Sequence, residues 1–305
     1  MTGFAVLAAT GPTWHLGSDL RQLTAYPFMV NALRAGALVA MMAGAVGWFM
    51  VLRRQSFAGH SLSMIAFPGA SGAILLGINP LIGYFGMTGV AALAFAASSP
   101  RGGRAGSREG AALIGTVQAF VLALGFLFVS LYKGLMSGPI ALLFGSIVGI
   151  SNYDVTILAV IGAVTAVVLA VIARPLFFAT VDEEVARARG VPVRALSFAF
   201  FVLLGVTAAG AAEVVGATLT FALLVLPAAT AQRLTARPVL SMTITIGLSI
   251  GVTWIGMAAA FFSVYPIGFF VTTVAVAVYV VAAGIEFAAR RSGTRGALAV
   301  GKFQT

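Results

Sequence analysis

The sequence predicts an all-α fold, a polytopic transmembrane helical bundle of about nine spans with its N-terminus outside and its C-terminus cytoplasmic. Three observations predict it. Sixty per cent of the 305 residues are hydrophobic and 9% are charged, against about 25% charged in an ordinary soluble domain. Nine apolar segments can be read along the chain, and a helix needs roughly 20 apolar residues to cross a hydrocarbon core about 30 Å thick. The basic residues, finally, fall in alternate loops.

The segments are 28–52, 62–79, 81–98, 111–132, 155–173, 195–211, 213–232, 239–262 and 267–288. Asn79-Pro80 separates the second from the third, and Gly210 to Glu213 the sixth from the seventh; one broken segment would also serve at either place. Arg53 and Arg54 follow the first. Arg101, Arg104 and Arg108 precede the fourth, and Arg174, Arg187, Arg189 and Arg194 lie between the fifth and sixth. Arg233 and Arg237 follow the seventh, and Arg290, Arg291, Arg295 and Lys302 follow the last. These are 15 of the 18 Lys and Arg residues; only Arg21, Arg34 and Lys133 lie elsewhere. With nine crossings all five loops share one face, and basic loops mark the cytoplasmic side. Residues 1–26 lack a basic start and a long apolar run, so they read as a peripheral segment rather than a signal peptide. Residues 27–289 form the transmembrane domain and 290–305 a cytoplasmic tail. The 36 glycines recur with Ala and Ser, the spacing that lets helices approach closely in lipid.

Several function classes are excluded. There is no cysteine, hence no disulfide, thiolate metal site or cysteine nucleophile. No Gly-x-x-x-x-Gly-Lys-Ser/Thr, His-Glu-x-x-His or Gly-x-Ser-x-Gly occurs, so the chain has no ATPase site of its own and no enzyme constellation. The net charge of +10 belongs to the membrane loops and not to a basic stripe for nucleic acid.

Three features stand out from the apolar background. The stretch Phe178 to Gly190 contains Asp182, Glu183 and Glu184, then Ala186, Arg187 and Arg189. Acids in a first turn and bases in a last turn oppose the helix dipole; with Thr180 as N-cap and Gly190 at C′, this predicts a helix of about eight residues. It is a solvated connector or a docking element. The second feature is Gly59-His-Ser-Leu-Ser-Met64, followed by Pro68-Gly69. On a helix, His60 and Met64 share a face at i and i+4. Imidazole binds zinc, copper, iron and nickel, and a thioether prefers softer ions; an interfacial histidine is the plainer alternative. Pro68 is expected to break the ladder, as in transporter helices that line a path. The third is Glu213, an acid near the start of a predicted span that also contains Pro227. Intramembrane carboxylates are costly and point to function, although capping of a helix start would also account for this one.

The same stretches resemble the membrane subunit of ABC importers for zinc, manganese or iron, over about Tyr26 to Glu286. Phe28 to Arg34 and Val51 to Arg54 are similar to the first span and its exit. Gly59-His-Ser-Leu-Ser-Met-Ile-Ala-Phe-Pro-Gly69 resembles the family's Gly-Asp-Ala-Leu-Ser-His-Ala-x-x-Pro-Gly. Asp182 to Gly190 is similar to the cytoplasmic coupling segment, and Val215 to Ala231 matches most closely. The resemblance implies an inner-membrane, multi-pass permease that pairs as a homodimer with two separate ATPase subunits. A metal-binding protein outside delivers the ion, and no cofactor is held covalently. The helix Asp182, Glu183, Glu184, Ala186, Arg187, Gly190 would couple ATP-driven closure to alternating access. His60, Ser63, Met64 and Glu213 would line the ion path, with His60 and Met64 as transient metal contacts.

One departure matters. The family's Asp and His of the second-span motif correspond here to His60 and Met64. Imidazole plus thioether should favour zinc or a softer ion over hard manganese. A secondary transporter driven by an ion gradient is the main rival, and a membrane scaffold a third reading. The rival expects carboxylates or histidines mid-span; this chain has almost none there and would leave the capped helix without a role.

Overall fold

In the computed structural model the described residues are 16–98, 108–132, 142–143, 145, 150–263 and 265–291. They form α1 (Leu16–Ala25), α2 (Pro27–Leu52), α3 (Ser56–Leu75), α4 (Pro80–Ser98), α5 (Arg108–Leu131), α6 (Asn152–Val181), α7 (Glu183–Ala188), α8 (Val193–Val215), α9 (Ala217–Leu234), α10 (Pro238–Phe261) and α11 (Ile267–Arg291), with no strand among the described residues. The all-α bundle is as expected, and each of the nine predicted segments is met by one long helix. Lys133, Arg101, Arg104 and the tail beyond Arg291 lie outside the described residues, as does most of the peripheral segment.

Eight helices are long and apolar enough to cross a bilayer. The ninth, α3, is 20 residues long, about 30 Å at 1.5 Å per residue, but too polar to qualify by composition. Its position explains this. It packs against α4, α5, α8 and α9, and Ser61, Ser63 and Ser71 are buried within protein contacts. A helix walled by protein does not need a lipid-compatible surface.

Local chemistry sets the helix ends. Pro27 and Pro238 stand at first helical positions, where the missing N–H costs nothing. Ser151 and Asp154 close a reciprocal capping box at the start of α6. Asn79 Oδ1 accepts from the Leu81 N–H at 2.9 Å and opens α4. The buried threonines Thr88, Thr220, Thr245 and Thr253 each donate to the carbonyl four residues earlier, so their hydroxyls cost little in an apolar interior.

Three local expectations are corrected. The helix α3 continues past Pro68 rather than ending there, as α9 does past Pro227; each proline, lacking an N–H, removes one bond of the ladder without stopping its helix. The break between the sixth and seventh segments lies at Gly216, not at Gly210 to Glu213. Gly216 has φ +94°, a region costly for any residue with a Cβ. Glu213 therefore sits in the last turn of α8 and cannot cap the start of α9.

The helices α2 and α8 are the most enclosed spans and form the centre. Around them α3 pairs with α4 and α5, and α9 with α10 and α11. The helices α5, α6 and α11 are peripheral, presenting Phe120, Phe126, Val164, Val171, Val280 and Ile285 outward.

Candidate metal path and coupling surface

Two elements are of functional interest, and both derive from residues already singled out. The first is the face of α3. His60 and Met64 are half-buried and Ser63 fully buried. The Ser63 hydroxyl donates to Gly59 O at 2.9 Å, so it is engaged with its own helix. The His60 ring packs edge-on against Phe221 of α9, with centroids 4.9 Å apart and planes at 70°. This contact joins two sequence stretches that lie more than 150 residues apart. His60 Nδ1 is buried and makes no hydrogen bond. A neutral imidazole carries one free lone pair, which lies at Nδ1 when the proton is on Nε2. Among the described residues no three His, Asp or Glu side chains converge to hold an ion.

Glu213 belongs to a different neighbourhood. Its carboxylate interacts electrostatically with Asp154 and Tyr84, and its Oε2 is buried without a partner. No described hydrogen bond or ring contact joins it to His60.

The second element is α7. Its N-cap is Asp182, whose Oδ1 accepts from the Val185 N–H at 2.9 Å; the predicted Thr180 instead lies in the last turn of α6 and donates to Leu176 O at 2.6 Å. The helix is therefore six residues long rather than about eight. Gly190 adopts φ +79°, and the Val191 N–H returns to Ala186 O at 3.0 Å, which closes the C-terminus as predicted. Arg187 is ion-paired with Glu183 one turn away. Ala186 is fully buried, while Glu184, Val185 and Arg187 are exposed. The helix thus stands on one small side chain with its outer face free.

Arg53 was visible in the sequence only as a loop charge. In the structure its guanidinium donates to Thr180 Oγ1 at 3.3 Å and to Ser197 Oγ at 2.9 Å, and it lies 5.3 Å from the centroid of the Phe200 ring. Burial lowers its pKa and the Glu183 carboxylate opposes this; arginine starts so high that it stays charged at neutral pH. The neighbouring Arg54 is exposed. No periodicity in the sequence distinguishes these two arginines.

Comparison with known proteins places this arrangement. A profile of the ABC 3 transport family matches residues 25–286. The chain belongs to that family. It is 30% identical over 219 residues to the manganese transport system membrane protein MntC of Halalkalibacterium halodurans, covering 71% of this chain and 73% of that one. It is 33% identical over 214 residues to the chelated iron transport system membrane protein YfeC of Yersinia pestis, covering 70% of each. Among solved structures, PsaBC from Streptococcus pneumoniae in complex with Fab superposes with a TM-score of 0.76 at 24% identity, over 88% of this chain and 95% of that one; this likeness supports the fold. As a member of the ABC 3 transport family, the chain is a multi-pass inner-membrane permease subunit of an ABC transporter. Family membership also disfavours the gradient-driven rival.

Proposed function

We propose that this permease carries a divalent metal ion inward by alternating access, powered by separate ATPase subunits docked on α7. The observation that carries the reading is the build of α7: capped at both ends, seated on buried Ala186, with Glu184, Val185 and Arg187 exposed. A rigid, short, exposed helix between two spanning helices transmits a push from a soluble partner to α6 and α8. The basic loops orient that face toward the cytoplasm, so the C-terminus is cytoplasmic and the N-terminus outside. An extracytoplasmic metal-binding protein would deliver the ion on the opposite face.

The relatives are named for manganese and chelated iron. The donor pair of this chain favours a softer choice. His60 offers neutral nitrogen and Met64 a thioether, and neither suits hard, oxygen-seeking manganese. Zinc is therefore the proposed substrate, with iron next and manganese last. A second copy of the chain would complete the path, with α5 and α11 flanking the α3–α9 face on which His60 meets Phe221.

The test is co-purification with the partner ATPase and ion-stimulated ATP hydrolysis. Glu184→Arg combined with Val185→Asp alters only exposed positions of α7. It should weaken ATPase capture by about 2 kcal/mol, roughly 30-fold, the size of an interface hot spot. Unchanged capture would remove α7 as the docking element.

A further inference from the structure

The bundle contains an open apolar cleft of about 470 Å³ between α2, α6 and α10, with Leu38, Met42, Ala45, Ala166, Leu169 and Ile246 among its walls. Its α6 wall runs from Ala159 to Ala173. That is about 21 Å at 1.5 Å per residue, more than the roughly 15 Å that one leaflet contributes to the hydrocarbon core. Every helix that walls it is long and apolar enough to cross a bilayer.

The cleft has a charged end. Arg34 lies four residues before Leu38, on the same face of α2. It is exposed and makes no hydrogen bond or ion pair with any described residue. An arginine within a span is expensive unless its charge is met, and its stem leans toward the N-terminal end of the helix. The Trp254 indole N–H donates to Leu33 O at 3.3 Å from the adjacent α10. A half-exposed tryptophan with a polar tip marks the level of the headgroups. A cationic side chain at headgroup level thus stands directly above an apolar slot of acyl-chain length.

We propose that this cleft is a binding site for one anionic phospholipid, its headgroup phosphate on Arg34 and an acyl chain lying along Met42, Ala45 and Ala166. A second copy of the chain is a poorer occupant. A symmetric interface pairs the same patch with itself and would bring two unpaired arginines together in an apolar seam. The one acid near this end of α6, Asp154, is engaged in the Ser151 cap. The site is independent of which ion the permease moves.

Native mass spectrometry of the full chain in detergent, titrated with phosphatidylglycerol or phosphatidylcholine, tests this. The wild-type protein should retain one phosphatidylglycerol per chain about five-fold more readily than phosphatidylcholine, in line with one cation at a membrane surface. Arg34→Gln should equalise the two lipids and Arg34→Lys restore the preference. Ala166→Phe and, separately, Ala45→Phe fill the slot and should release both lipids. Glycerol phosphate, a headgroup without tails, should not compete. Equal retention by the wild-type protein, a preference that survives Arg34→Gln, or competition by glycerol phosphate overturns the proposal. So does a loss of dimer mass, in place of lipid, on filling the slot, which assigns this face to a second copy. A variant that fails to elute as a single species is replaced in the comparison by the other slot-filling substitution.

Discussion

Replacing Arg53 by alanine should abolish most ion uptake while leaving ATP hydrolysis and ATPase capture in place. The reason is positional. Arg53 ends α2 and begins the turn into α3, and its guanidinium reaches Thr180 at the end of α6 and Ser197 at the start of α8. Those two helices bracket α7. The same cation feels Glu183, the first residue of α7. A push on α7 is thereby shared with the α2–α3 turn, and α3 holds His60 about one turn and Met64 about two turns from its start. Truncation removes two charge-assisted hydrogen bonds and the stacking on Phe200, about 2–4 kcal/mol in a part-buried setting. Uptake per ATP hydrolysed in proteoliposomes should fall at least about tenfold, since 1.4 kcal/mol is a factor of ten. Lysine should rescue little, because a point charge cannot span both hydroxyls as the planar fork does. Uptake and hydrolysis falling in parallel would mean that Arg53 only stabilises the fold. Burial pulls its pKa down from an arginine value, so this coupling should persist across neutral pH, with loss only on strongly alkaline titration.

The second large effect is structural. At the crossing of α3 and α4, a Cβ on Gly69 would meet Gly83 O, and a Cβ on Gly83 would meet Gly69 O and, at 2.8 Å, Ala73 Cβ. The nearest obstacle in each case is backbone, which cannot swing aside as a side chain can. The packing of α3 on α4 depends on both glycines, the small-residue contact by which helices associate in lipid. Gly83→Val should cost about 3 kcal/mol or more, at the upper end of overpacking, and show as lost folded yield and a lowered melting temperature. Gly86, one turn along α4, has open space around it. Gly86→Ala should therefore be neutral or stabilising by up to about 1 kcal/mol. A Gly83→Val protein that melts with the wild type would contradict this crossing.

The elements themselves were legible in the sequence because bilayer physics is blunt: each apolar run of about 20 residues has one way to satisfy its backbone. The α7 element was legible from charge order, Asp182 to Glu184 before Arg187, with Gly190 closing it. Its N-cap was misassigned because Thr180 and Asp182 are both good caps, and only the continuation of α6 to Val181 decides between them. Tertiary pairing was not legible. Nothing in the order of residues couples His60 to Phe221 or distinguishes Arg53 from Arg54. These depend on how helices distant in sequence cross, and hydropathy is silent on that. The break at Gly216 is an intermediate case: the residue type was a signal, obscured by Gly210 nearby and by the acid at 213.

The choice of ion rests on His60. The purified permease, joined to its ATPase in proteoliposomes and supplied with ATP inside, should take up zinc, with manganese at least about tenfold slower, the margin of a modest loss in ligand match. His60→Ala should remove most zinc uptake without releasing the ATPase, and Met64→Ala should weaken the preference for the softer ion. Manganese carried as well as zinc, with His60→Ala transporting like the wild type, would contradict it.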